Sequence, residues 1–173
     1  MGQLISSFAA GAGAHIPAKT PKAGAVRYHQ LYVGSDGYTH IARDLTVSKM
    51  AKKDFTSSSS LQYVRSFSSE EFDVVNTIVT QQLGENPWHY CPAPQFVVTL
   101  AGRWFVRTPD GDEIVMGPGD LLYQDNTSEH PKAVEGTRQC MHYSGAVEGP
   151  CNQLIIQLKT ALETANPGRW SAE

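Results

Sequence analysis

Residues 87–102 read PWHYCPAPQFVVTLAG and carry the most specific signal in this chain. His89, Cys91 and Gln95 stand two and four residues apart, shortly before a run of β-prone residues that is typical of a strand and ends at Gly102. Histidine and cysteine are common metal ligands, and histidine also transfers protons near neutral pH. The stretch therefore predicts a β-strand beside either a metal site or an active site that works without metal.

The remainder of the chain predicts an all-β domain. Short β-prone runs occupy residues 27–33, 38–48, 61–67, 72–80, 95–100, 103–108, 113–116, 121–124, 137–143 and 154–158. Turn sequences such as GSDG (34–37) and GPGD (117–120) separate several of these runs. Short strands at a spacing of roughly 8–12 residues predict a β-sandwich or barrel, and the chain length favours one domain.

The domain boundaries follow from the composition of the two ends. We expect an N-terminal tail or arm over residues 1–25, a β-barrel over 26–160 and a C-terminal tail over 161–173. Residues 51–60, with their serine run, predict a mobile loop. A short C-terminal helix is predicted over residues 159–165, where the sequence NPG (166–168) ends it.

Composition and charge restrict the possible partners. The chain of 173 residues is 40% hydrophobic and 18% charged, which is typical of a globular protein. A net charge of −3 without a basic stripe argues against nucleic-acid binding. No apolar run approaches the roughly 18 residues that cross a bilayer, so no transmembrane segment is expected.

The cysteines and the N-terminus bear on location. Three cysteines without CxxC pairing indicate reduced thiols and a cytoplasmic protein. The first residues, MGQLIS, fit the pattern for N-myristoylation at Gly2, which would add a weak membrane anchor.

Two motifs give the chain a resemblance to a known superfamily. The first follows G-x5-H-x-H-x3,4-E-x6-G, with one residue missing before the first histidine, and its positions are Gly84, His89, Cys91, Gln95 and Gly102. The second follows G-x5-P-x-G-x2-H-x3-N, and its positions are Gly111, Gly117, Gly119, Leu122 and Asn126. In both motifs the chain resembles the cupins, and over residues 27–158 it is similar to small bacterial and fungal cupin-like proteins. The resemblance implies a jelly-roll β-barrel.

The resemblance also defines where a metal would bind. Cupins of this pattern hold iron or manganese with three histidines and a glutamate, and only His89 remains here, because cysteine, glutamine and leucine stand at the other positions. We therefore expect no metal and no other cofactor. A zinc site of His89 and Cys91 with His130 or His142 is the alternative.

The expected site is a metal-free pocket at the barrel mouth. If His89 points inward, strand alternation directs Cys91 inward too, and Gln95, Val97 and Thr99 share one face of the next strand, provided residues 92–94 keep the register. Partial burial would keep His89 neutral and able to act as a base, although it could instead be a structural polar residue at the rim. The predicted catalytic residues are His89, His130 and His40. The predicted substrate-binding residues are Gln95, Tyr90, Trp88, Trp104, Cys91 and Asp125.

These residues predict an enzyme of acid/base chemistry. Histidines with neutral hydrogen-bonding groups can isomerise, dehydrate or cyclise a small organic metabolite without a metal. The alternatives are a cupin that binds a small molecule without catalysis and a metal-dependent cupin oxygenase. The expected partners are a small-molecule substrate and a second copy of the chain in a homodimer.

Overall fold

The computed structural model describes residues 20–57, 60–162 and 167–171, and these residues form strands and no helix. The strands are β1 Arg27–Val33, β2 Thr39–Thr46, β3 Ala51–Asp54, β4 Leu61–Val64, β5 Asp73–Gln82, β6 Glu85–His89, β7 Gln95–Arg107, β8 Glu113–Met116, β9 Leu121–Gln124 and β10 His142–Lys159. The predicted all-β class is confirmed for these residues, and the jelly-roll arrangement stays a prediction.

Eight strands form one mixed sheet in the order β2-β1-β9-β7-β10-β5, with β8 beside β7 and β6 beside β10. The pairs are antiparallel except β1 with β9, which run parallel. β3 and β4 form a separate two-stranded ribbon.

The two long strands β7 and β10 bend together and divide the sheet into two halves. In the first half, residues 95–101 of β7 pair with residues 152–157 of β10, and in the second half residues 103–107 pair with residues 143–147. Gly102 lies at the bend with a φ of 77°, and a Cβ there would lie 2.3 Å from the carbonyl oxygen of Pro150. This close approach requires glycine.

The inner faces of the two halves pack against each other. One core cluster combines Leu31, Val97 and Leu122 of the first half with Trp104, Val106 and Met116 of the second half. A second cluster gathers Tyr28, Val47, Tyr123, Leu158 and Trp170. Trp170 is only 2% exposed, so the core extends into the predicted C-terminal tail.

Three local predictions were wrong. Residues 51–54 of the predicted mobile loop form β3, because Lys52 and Lys53 pair with β4 in an exposed ribbon that shows no hydrophobic alternation. Of the predicted strand at residues 137–143, only the last two residues lie in β10, since Thr137 donates a hydrogen bond to the carbonyl of Val134 in a turn.

The predicted C-terminal helix is the third local prediction that was wrong. Lys159 is the last residue of β10, where it pairs with Asp73, and residues 160–162 are not helical. Residues 163–166 lie outside the described part of the chain, as do Gly2 and residues 1–19 of the predicted tail. No helix in the described residues is long and apolar enough to span a membrane.

β5 forms one end of the sheet. Within the described residues it pairs only with β10, and Val75 and Val79 are exposed on it. The homodimer stays a prediction.

Candidate functional site

A cavity of about 390 Å³ lies where the two halves of the sheet face each other. Its walls come from both halves, since Gln95 and Val97 belong to the first and Trp104, His142 and Ser144 to the second. A further depression of about 360 Å³ lies between residues 21–26, Met50 and Tyr63, but no histidine, cysteine, carboxyl or amide side chain lines it. The cavity between the halves is therefore the candidate functional site, and we call it the central cavity.

The floor of the central cavity is built from alternate residues of neighbouring strands. Gln124, Gln95 and Gln157 are direct cross-strand partners on β9, β7 and β10, and they form a row of amides. The Nε2 of Gln157 donates to the Oε1 of Gln95 at 3.2 Å. Because side chains on one face of a strand recur every second residue, the next row along the floor is apolar, with Val97 and Ile155.

A third row follows after the apolar one. Gln153 is the cross-strand partner of Thr99 on β7 and of Thr80 on β5. The hydroxyl of Thr99 accepts a hydrogen bond from the indole Nε1 of Trp104 at 2.8 Å, which ties the two halves together across the bend. The floor is thus apolar in the middle and polar at both ends.

His89 lies at the end of β6 and is half-buried in the wall of the central cavity. Its Nδ1 lies 2.7 Å from the carbonyl oxygen of Pro87, which can only accept a hydrogen bond, so the Nδ1 carries a proton. Burial lowers the pKa of His89, although the bond to Pro87 opposes this shift. The neutral ring then has a lone pair on Nε2, which accepts from the Nδ2 of Asn86 at 3.0 Å.

His142, at the start of β10, is the cross-strand partner of His89, and the two ring centroids lie 4.1 Å apart. The Nδ2 of Asn126 lies 3.0 Å from the Nδ1 of His142 and also donates to the carbonyl of Cys140. Burial, with a smaller contribution from His89, holds the pKa of His142 well below its usual range. His142 is therefore neutral, with its lone pair on Nδ1 and its proton on Nε2.

The two histidines are held in opposite tautomers. His89 presents a lone pair at Nε2, and His142 a proton at Nε2, because the hydrogen-bond partner of each Nδ1 is fixed. A neighbouring base and hydrogen-bond donor can move a proton and stabilise the charge that develops on the reacting molecule.

Four of the predicted site residues line the central cavity together: His89, Cys91, Gln95 and Trp104. Cys91 is 1% exposed, and burial, reinforced by the charge of Asp125, raises the pKa of its thiol well above the usual range. The thiol is therefore protonated and is a poor nucleophile and metal ligand.

Trp88 and Tyr90 do not line the central cavity. Trp88 packs edge-on against Tyr143 at 5.8 Å between ring centroids, with the guanidinium of Arg138 above its ring. Strand alternation turns Trp88 to the opposite face from His89, and its contact with the substrate stays a prediction. Tyr90 follows β6 and is half-buried, and its role in substrate binding stays a prediction.

Asp125, His130 and His40 also lie outside the cavity lining. Asp125 is fully buried and accepts from the hydroxyl of Tyr123 at 3.5 Å. His130 is 3% exposed, and its Nδ1 accepts from the backbone of Lys132 in a turn. Neither residue lines the central cavity, since the loop after β9 folds back into the protein, and their roles at the site stay predictions.

His40 belongs to β2, near the far edge of the sheet. Its Nε2 lies 3.0 Å from a carboxylate oxygen of Asp36, and its Nδ1 lies 3.4 Å from one of Asp110. This histidine joins two turns and does not line the central cavity, and its catalytic role stays a prediction.

The donor set does not fit the metal that the resemblance implies. Leu122 cannot bind a metal, the Cys91 thiol is protonated, and the Oε1 of Gln95 already accepts from Gln157. Among the described residues, no three histidine, cysteine, aspartate or glutamate side chains cluster as a metal site would require.

Sequence reasoning did not assign several residues to the metal-free pocket, among them Gln124 and Gln153, and it considered His142 only as an alternative zinc ligand. Gln124 follows Leu122 by two residues, so alternation alone could have directed it to the same face. Gln153 and His142 lie on a strand whose partners are not evident from the sequence, and their facing depends on pairing with β7 and β6.

No protein-family model matches the chain, and no curated protein matches it either. A solved structure, that of protein NMB1881 from Neisseria meningitidis, is similar over 51% of this chain and 84% of its own, with 15% sequence identity and a TM-score of 0.37. A TM-score of this size does not assign a shared fold.

Proposed function

We propose that this chain is a cupin-like enzyme that moves a proton within a small organic molecule in the central cavity, without a metal. His89 is the base, and His142 is the hydrogen-bond donor beside it. The observation that carries the proposal is the pair of neutral imidazoles in opposite tautomers, 4.1 Å apart in the cavity wall.

The chemistry that suits this pair is isomerisation next to a carbonyl group. The Nε2 of His89 takes a proton from the carbon beside the carbonyl, and the electron pair of the broken C–H bond forms a C=C bond. The carbonyl π electrons move to oxygen, and the Nε2–H of His142 donates a hydrogen bond to that oxygen. The substrate of this step is a β,γ-unsaturated carbonyl compound. The electron pair on oxygen re-forms the C=O bond, the new C=C electrons move to the α,β position, and the electrons of the old β,γ double bond take the proton from His89 at the γ carbon. Both histidines thus end in their starting states.

Asn86 and Asn126 are positioning residues in this scheme. The amide of Asn126 is buried against His142 and keeps the proton on its Nε2. Asn86 is exposed, so its amide can turn away from His89 when a substrate approaches. Neither residue contacts the reacting atoms.

A jelly-roll arrangement is part of the proposal. The spacing of the two cupin-like motifs supports it, and so does the bend of β7 and β10, which carries one pair of strands through both halves of the sheet. The polar floor equally suits the alternative, a cupin that binds a small molecule without changing it.

Proton transfer can be tested without knowing the natural substrate. The full chain is incubated in D₂O with neutral ketones, enones and lactones of one to three rings, and NMR follows the exchange of protons beside the carbonyl. We expect exchange or isomerisation above the buffer rate for at least one compound. No exchange for any member would contradict catalysis and favour the binding alternative.

Matched variants connect the activity to the two histidines. His89→Gln keeps an acceptor for Asn86 and His142→Asn keeps one for Asn126, and each is expected to lower the exchange rate at least about a hundredfold. His29→Gln is the control, because His29 lies outside the cavity lining and its Nδ1 accepts a hydrogen bond from the backbone N–H of Asp44. Equal rates in His89→Gln and the control would exclude His89 as the base.

A further inference from the structure

We propose that the ligand of the central cavity is an uncharged, elongated molecule with a hydrogen-bond donor at one end and an acceptor at the other, recognised by Gln124 and Gln153. The inference deepens the proposed function and rests on it, in that it takes the cavity beside His89 as the functional site. Its evidence is the buried amide groups at the two ends of the floor.

Two of these amides have an atom without a partner. Gln124 is 4% exposed and Gln153 is 5% exposed, and both line the central cavity. The Oε1 of Gln124 and the Nε2 of Gln153 make no hydrogen bond within the described residues. A buried polar atom without a partner costs free energy, so a ligand that satisfies both atoms binds favourably. The first atom requires a donor and the second an acceptor.

The charge of the lining favours an uncharged ligand. Glu85 is the only residue with a formal charge among the described lining residues, and its carboxylate is exposed and accepts from the hydroxyl of Tyr143 at 2.5 Å. His89 and His142 are neutral, so no cationic group is present to pair with an anion. A buried charge without a partner is costly, and the cavity therefore rejects carboxylates and phosphates.

The positions of the two amides set the length of the ligand. Gln124 on β9 pairs with Gln95 on β7, and Gln153 on β10 pairs with Thr99, four residues further along β7. The two glutamines therefore lie on strands that flank β7, two strand spacings apart. At ~3.4 Å per residue and ~4.8 Å between strands, the two positions lie ~17 Å apart. Subtracting two hydrogen bonds of ~2.9 Å leaves ~11 Å between the end groups of the ligand.

The middle of the ligand lies over the apolar row. Val97 and Ile155 form this part of the floor, and Trp104 lies in the facing half. An aromatic or alicyclic core of two rings fills the distance between the amides and leaves both ends polar. A flexible polyol of the same length would leave hydroxyl groups unpaired over this row.

A matched series of rigid biphenyls tests the inference by NMR titration of the full chain. 4′-Hydroxybiphenyl-4-carboxamide has the donor and the acceptor, and biphenyl-4-carboxamide lacks the phenol. 4′-Hydroxybiphenyl-4-carboxylate replaces the neutral amide with a charge. We expect the first compound to bind about tenfold more tightly than the second, and more than about tenfold more tightly than the third.

Variants of the two glutamines test which glutamine contacts each end of the probe. Gln124→Met should abolish the preference for the phenol, and Gln153→Met should lower the affinity of the carboxamide about tenfold without affecting the phenol preference. Gln81→Met is the control, because Gln81 lies on β5 facing away from the cavity and donates to Asn152 at 2.8 Å.

The inference is overturned if the first compound does not bind, if the carboxylate binds as tightly, or if Gln81→Met weakens binding as much as the other variants. Its failure is separable from that of the proposed function. Binding of the probe without proton transfer in D₂O supports the ligand class and contradicts catalysis. Proton transfer without the expected probe preferences supports catalysis and overturns the ligand class.

Discussion

The burial of His142 predicts how the stability of the protein depends on pH. In the folded chain the imidazole is fully buried, accepts from Asn126 and stays neutral, since burial holds its pKa well below the usual range. In the unfolded chain the same imidazole takes up a proton with a pKa of about 6.5. Acid therefore stabilises the unfolded state, and the contribution of His142 to stability is complete above pH 6.5 and is lost as the pH falls.

The size of this effect follows from proton linkage. If His142 stays neutral in the folded state down to pH 5, a change from pH 7 to pH 5 removes about 1.9 kcal/mol from the free energy of unfolding. His89 shifts stability in the same direction, but it is half-buried and solvent reduces its share. The contribution of His142 is therefore measured as the difference in acid-induced loss of stability between wild type and a variant without this histidine.

The comparison uses wild type and His142→Asn, in which the asparagine oxygen accepts from Asn126 in place of Nδ1. Urea unfolding at pH 7 and pH 5 gives the acid-induced loss of stability for each protein. We expect the loss to be smaller in the variant by about 1.9 kcal/mol. Equal losses would refute the reasoning, because they would mean that His142 takes up a proton in the folded state as readily as in the unfolded one.

Two further predictions concern the fold. Gly102→Ala should lower the free energy of unfolding by at least about 2 kcal/mol, because its Cβ would lie 2.3 Å from a backbone carbonyl oxygen. Gly111→Ala, which also has a positive φ but no atom within 4 Å of the added Cβ, should cost less, and equal losses in urea would contradict the close approach. Trp170→Ala should cost about 3–5 kcal/mol in the same assay, since Trp170 is buried; a loss below about 1 kcal/mol would show that the C-terminal segment does not pack in the core.

The strands that the sequence predicted best are bordered by turn residues, at both ends for β8 and β9 and at the C-terminal end for β1. β1, β8 and β9 begin and end at the predicted residues, because glycine, proline or aspartate lies next to each of them. The sequence also divided β7 into two runs at Gly102, whereas the structure continues one strand through the bend. A glycine marks both a turn and a bent strand, and only the pairing with β10 distinguishes them.

The sequence predicts which site residues share a face when they lie on one strand. It does not predict site residues whose position depends on the pairing of two distant strands. Alternation along residues 95–99 directs Gln95 and Val97 to one face without knowledge of any partner. His142 lies in the wall because β10 pairs with β6, and this pairing joins residues that are 53 positions apart. His40 and His130 were selected for their chemistry, but carboxylates and turns determine where they lie.

The neutral side chains at the motif positions have a common electrostatic effect. Gln95 stands where the resembling pattern has glutamate, and Leu122 stands where it has a histidine, so neither an anion nor a cation is buried at the floor. Burial lowers the pKa values of His89 and His142, with a smaller contribution from His89 to the shift of His142. Both rings are then neutral, and only a neutral ring can keep one nitrogen as an acceptor and the other as a donor. Two neutral rings of this kind are what the opposite tautomers of His89 and His142 require.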